Sequence, residues 1–202
     1  MPAIASRAIV ALALAALVAG GASGCATEPT ATPTKSATPT ATSATPTAEP
    51  TETAAPEPQS APVGIDCNAL IAPDAMYAIN PNFGLSESFV PEKRSDAAEI
   101  VAADGLACNW VNQTSGESVV VAVANFTDDA KLTELKNGFV TSSTPVPTYG
   151  KPPVEGYFQM NGSVGEAEVF SGPYWLSAVS TSFLEPGDAL PVVQAALAGL
   201  GQ

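Results

Sequence analysis

The chain has 202 residues, with 7 Lys plus Arg against 20 Asp plus Glu, three cysteines and no histidine, for a net charge of −13. That balance excludes nucleic acid and anionic lipid head groups as electrostatic partners, since either needs a basic patch. The cations after residue 60 (Lys93, Arg94, Lys131, Lys136 and Lys151) are scattered. Without histidine there is no Ser-His-Asp or Cys-His nucleophile and no imidazole metal site.

The first 24 residues read as an export signal. Arg7 and the amino terminus form a weak positive region, residues 8–19 are an unbroken apolar run, and residues 20–24 are small. The run is short and Ala-rich for a membrane span, which takes about 20 apolar residues. Ala22-Ser23-Gly24 precedes Cys25 in the manner of a bacterial lipobox. Cys25 is therefore the expected lipidation site and the expected tether to the outer face of the membrane, since two or more acyl chains anchor stably.

Residues 25–62 begin at that cysteine and continue as a linker almost wholly of Thr, Pro, Ala, Ser and Glu, with no aromatic or large aliphatic side chain. Such a composition buries nothing that offsets the entropy of ordering, so it predicts a disordered stalk. In polyproline II its 37 residues after Cys25 would reach at most about 115 Å. Thr and Ser beside Pro also suit O-glycosylation.

Residues 63–202 are one domain in size. An export signal sets an oxidising compartment, so the remaining pair, Cys67 and Cys108, is expected to form a disulfide. With Cys25 lipidated and that pair bridged, no cysteine is left for zinc.

Cys67-Asn-Ala-Leu-Ile predicts a short turn or helix, and Pro73 with Asp74 starts another that stops near Asn80-Pro81. Residues 81–104 read as a long irregular segment, with a helical turn over 97–102. Alternation over 106–111 and the Val-rich stretch 118–126 predict a β-hairpin turning at 113–116. Thr127, Asp128 and Asp129 cap a helix over 130–137 that Gly138 ends. Residues 144–153 hold four prolines and read as loop. Strands follow over 156–160, 165–171 and 174–182, then a helix capped by Asp188 with Leu190, Val193, Leu197 and Leu200 on one face. The sum is an α+β fold: an antiparallel sheet of about five strands with helices packed on it.

Few residues offer chemistry. Asp128 and Asp129 suit a calcium site in residue type, but they sit where a helix start wants acids and lack an EF-hand loop. Glu166 and Glu168 share a face of one strand about 6–7 Å apart, a spacing seen in glycosidase pairs. One strand makes no cleft, so a solvated sheet face is the expectation for them. The serines have no base, and Lys151 has no Ser-x-x-Lys spacing. Asn112, Asn125 and Asn161 head sequons of the kind that arise by chance. No catalytic residue, metal site or cofactor is expected. Tyr157-Phe158 and Tyr174-Trp175 each straddle a strand, so one ring of each pair should be exposed. Tyr157 and Trp175 are the candidate ligand contacts, for an envelope protein or a glycan.

Cys67-Asn-Ala-Leu-Ile, Pro73-Asp74, Cys108-Asn-Trp110, the Val-rich strand and Gly-Pro-Tyr-Trp-Leu at 172–176 together resemble a group of actinobacterial envelope lipoproteins of unknown function. Ile71-Ala72 departs from the Leu and capping Thr usual there. The resemblance implies a cell-envelope location and a small α+β sandwich, and it carries over only the disulfide pair and the lipidated cysteine. The expected role is that of a non-enzymatic binding domain. The alternatives are a solute-binding lipoprotein serving a transporter and a carboxylate-based hydrolase.

Overall fold

The computed structural model describes residues 59–202. The export signal, Cys25 and the stalk as far as residue 58 lie outside the described residues.

In chain order the elements are β1 (Ser60–Ala61), α1 (Cys67–Leu70), α2 (Pro73–Ile79), β2 (Phe83–Leu85), α3 (Asp96–Ala102), β3 (Leu106–Asn112), β4 (Ser118–Phe126), α4 (Asp129–Ser142), β5 (Thr144–Pro145), β6 (Glu155–Asn161), β7 (Val164–Ser171), β8 (Tyr174–Ser180) and α5 (Pro186–Gly199). The sheet runs β2-β3-β4-β8-β7-β6-β5 and is antiparallel throughout, with β1 beside the end of β4. The five long strands are the five that alternation predicts. Ser60 and Ala61 pair with Phe126 and Asn125, so the sheet takes in residues ahead of the expected boundary at residue 63.

Both faces of the sheet are covered. On one face Val119, Val121, Val123, Ala167, Val169, Leu176 and Ala178 form a core with Leu70, Ile71, Met76, Val192, Val193 and Leu197. These come from the α1–α2 segment and from α5. On the other face Ala122, Ala124, Phe126, Tyr157, Phe170 and Trp175 pack with Ala97 and Ile100 of α3 and with Leu132, Leu135 and Phe139 of α4. Strand alternation thus feeds two apolar layers rather than one apolar and one wet layer.

Cys67 and Cys108 form the disulfide, with Cα atoms 5.7 Å apart. It fastens α1 to β3 and places Cys108 in the same core as Trp110.

Two helices differ from expectation at their ends. α4 continues through Gly138 to Ser142. Phe139 lies beyond the glycine and rests on Phe170 and Trp175, each ring centroid 5.9 Å away, and this contact outweighs the cost of one glycine. α5 begins at Pro186, with Glu185 as N-cap, and Asp188 completes a capping box from the third helical position.

Gly165 marks a close approach. A Cβ there would lie against the carbonyl oxygen and Cβ of Phe183, well inside van der Waals contact. Gly165→Ala is expected to lower stability by about 1–3 kcal/mol in urea unfolding, because the Phe183 backbone must move. Gly116→Ala, in open space at a turn, tests the positive-φ cost alone and should cost less.

Candidate functional site

The two candidate ligand rings are both buried. Tyr157 is 5% exposed and Trp175 2%. Their strand neighbours do not expose a ring in exchange: Phe158 is buried in the opposite core and Tyr174 is half-buried against it. The expectation of one exposed ring per pair fails because helices cover both faces. Tyr157 and Trp175 are core residues under α4 and offer no contact surface.

Glu168 also departs from expectation. It is fully buried, not part of a solvated face. Its register neighbours are Tyr157 on β6 and Ser177 on β8. The Trp175 indole Nε1–H donates to one carboxyl oxygen at 2.6 Å, and the Ser177 hydroxyl donates to the other at 2.7 Å. The carboxyl of Asp96, in the first turn of α3, hydrogen-bonds Glu168 from above. Glu166, two residues along β7, accepts from Gln159 at 2.7 Å and from Asn161 at 3.4 Å.

Burial and the neighbouring Asp96 charge raise the Glu168 pKa well above the ordinary carboxylate range, against the opposing pull of Ser177 and Trp175. Asp96 is raised too, first by burial and then by Glu166, while its hydrogen bond with Glu168 acts the other way. Nearby, the Lys136 ammonium lowers Glu155 through a 2.6 Å contact, and the Tyr157 hydroxyl also donates to Glu155.

This carboxyl group is no glycosidase pair. Such a pair must face a bond held in a cleft, whereas Glu168 has no exposed surface and both its oxygens are engaged. Among the described residues no group of three or more Cys, Asp or Glu side chains is placed to hold a metal. Asp128 caps α4, accepting from the Ala130 and Lys131 amides at 2.8 and 3.2 Å, which is the ordinary role of an acid at a helix start. Asn112 is spent on the β3–β4 turn, accepting from the Thr114 and Ser115 amides.

Open surface of another kind lies beside the carboxyl group. A groove of about 300 Å³ runs between the 89–97 segment and the sheet. Phe89, Val120, Val164 and Val179 supply its apolar floor, and Ser118 and Thr181 stand at its rim, while the Ser95 and Ser180 hydroxyls beside them are spent on the α3 cap and on the Ser118 carbonyl. Glu92 is the one charged side chain that lines it. Val120, Val164 and Val179 belong to the same sheet face as Trp175, beyond the cover of α3 and α4, and are only half-buried. Sequence reasoning missed these valines because an alternating Val in a strand reads as core.

A second cavity, of about 410 Å³, opens between the 149–154 loop and the C-terminal end of α5. Lys151, Gln194 and Gln202 edge it, and neither Glu166 nor Glu168 lines either space. The Tyr149 ring beside it is buried, and its hydroxyl has no hydrogen-bond partner. Burial, then the charges of Glu168 and Asp188, raise its pKa.

Among the described residues no helix is long and apolar enough to cross a membrane. Comparison with known proteins finds no matching family model, no similar curated protein and no similar solved structure.

Proposed function

We propose that this chain is a lipid-anchored envelope protein whose domain is a non-enzymatic recognition module, with the groove under the 89–97 segment as its ligand site. The observation that carries the reading is the half-exposed valine floor, Val120, Val164 and Val179, with Ser118, Thr181 and a single carboxylate at its edge. Ligand sites are concave and mostly apolar with a few convergent polar groups, and 300 Å³ lies at the small end of their range. Glu92 and the net charge of −13 favour a ligand with an apolar body and a cationic or neutral polar end, and disfavour an anion. The Cys25 anchor and the stalk support display at the outer face of the cell membrane. A free solute of this chemistry passed to a transporter would use the same groove, and is the second reading.

The test is calorimetric titration with three ring compounds that differ only in their end group: phenethylammonium, phenethyl alcohol and phenylacetate. Phenethylammonium should bind about fivefold more tightly than phenylacetate, since one surface charge pair contributes about 1 kcal/mol. Val179→Trp, which fills the groove, should abolish the heat of all three. Equal affinities across the series, or heats unchanged by Val179→Trp, would overturn the assignment.

A further inference from the structure

Glu168 is wholly enclosed, and no cationic side chain pairs with it. Among the described residues the ion pairs are Lys131–Glu134 and Lys136–Glu155. The groups that face it can be named element by element. α3 presents Asp96, with Glu99 behind it, and β7 presents Glu166. β6 presents Tyr157, whose hydroxyl is turned to Glu155, and Glu155 in turn holds Lys136 of α4. β8 presents only Trp175 and Ser177, and Tyr149 feels the carboxyl from the opposite layer.

Two carboxyl groups in hydrogen-bonding contact cannot both be ionised without strong repulsion, and an unpaired buried ion is costly. One proton between them satisfies both. Asp96 is half-buried in the first turn of α3, where free backbone amides favour a negative charge. Glu168 is enclosed, so the proton belongs on Glu168 and is donated to Asp96. The Trp175 and Ser177 hydrogen bonds then give each of its oxygens a donor.

α3 is short, seven residues, and its buried side chains are Ala97 and Ile100 alone. At its N-terminal end the carboxyl contact adds to the Ser95 cap and to the packing of Ala97. Ser95 and Ala97, on either side of Asp96, line the groove.

We propose that the proton shared by Asp96 and Glu168 is a clasp: it fastens the N-terminal end of α3, and with it one wall of the groove, to the sheet, and its loss releases that end. On release one proton passes from the Glu168 carboxyl to solvent. Two carboxylates then face each other, and the end of α3 moves out until both are hydrated. The clasp stands independently of what the groove binds, and its test needs no ligand.

The test is hydrogen exchange on the full chain, followed by mass spectrometry from pH 5 to pH 9 and corrected for the intrinsic exchange rate. The Trp175 indole N–H resonance is followed in parallel. Peptides covering 96–103 should lose protection as pH rises, by up to about tenfold per unit, because the opened state sheds a proton that the closed state keeps. Peptides from β4 and β8 should exchange far more slowly at every pH. The Trp175 indole resonance should move with the same midpoint, and that of Trp110 should stay still. Glu168→Gln, whose amide donates to Asp96 without a titrating proton, should make the α3 protection independent of pH, whereas Asp96→Asn, which leaves the buried Glu168 to titrate, should only weaken the response. Protection that does not change with pH in the wild-type chain would overturn the clasp, and this readout survives even if neither variant folds. So would α3 exchange that only ever matches the sheet, which means global opening, or a pH response that persists in a folded Glu168→Gln chain.

Discussion

Glu168→Ala is expected to destabilise the domain by about 3–5 kcal/mol, through a buried cavity together with donors left without an acceptor. Truncation removes the acceptor of the Trp175 indole and of the Ser177 hydroxyl, each enclosed in the layer under α4. It also takes away the partner of Asp96. Urea unfolding of the variant beside wild type measures the loss. Glu168→Gln keeps the volume and one acceptor oxygen, so it should cost far less.

The pH dependence has a definite sign. In the unfolded chain Glu168 titrates in the ordinary carboxylate range, and in the folded domain its pKa is raised well above that range. Between the two values the folded state holds a proton that the unfolded state has lost. The stabilisation is full below the unfolded pKa, declines as pH rises through the window, and levels off above the folded pKa. Wild type should therefore lose stability from mildly acid toward alkaline pH, while Glu168→Gln should hold steady over the same range. Thermal unfolding of both proteins at matched ionic strength checks this, and parallel profiles would show that Glu168 is not the group responsible.

Removal of the disulfide has the second large effect. Cys67 and Cys108 are 41 residues apart, and closure of such a loop constrains the unfolded chain by about 4 kcal/mol. The Cys67→Ala/Cys108→Ala double variant should lose a comparable amount in denaturant midpoint, converted through an unchanged slope. The bond also ties α1 to β3. The α1 and α5 faces meet at Gly199, where a Cβ would lie against the Leu70 carbonyl oxygen, so loosening should spread to the end of α5. Loss of protection at Leu197 and Leu200, beside intact protection in β7 and β8, would locate that spread.

The long strands are legible because Leu106, Cys108 and Trp110 alternate with their neighbours, 118–126 is rich in Val, and Gly162-Ser163 and Gly172-Pro173 mark the turns between the later strands. The ends of α2 were legible from Pro73 and Asn80-Pro81. The short strand β2 was not: Phe83-Gly84-Leu85 has three residues and no period, and only its pairing with Trp110 to Asn112 makes it a strand. α3 was seen as a single turn because its N-cap, Ser95, follows Lys93 and Arg94 in a polar stretch that reads as loop.

The carboxyl group shows where the reading of one strand ends. Glu166 and Glu168 share a face, which spacing shows, and a Glu-Ala-Glu run on a strand reads as wet. What meets Glu168 comes from β8 and α3, through Ser177, Trp175 and Asp96, and Phe139 of α4 packs on Trp175. Trp175 and Ser177 lie across the β7–β8 turn, but Asp96 and Phe139 are far off in sequence. The same cause buries Tyr157 and Trp175. Their candidacy as contacts assumed one open sheet face, and α3 and α4 together close most of it. The part that stays open lies over Val120, Val164 and Val179.

The most direct test of the groove as ligand site is an amide chemical-shift map of the isotopically labelled chain titrated with phenethylammonium. The account predicts saturable shifts at Val120, Val164 and Val179 and at Ser95 and Ala97 across the groove, and none at Lys151, Val154 or Ala198. Shifts confined to the 149–154 loop and the end of α5, or no saturable shift anywhere, would contradict it.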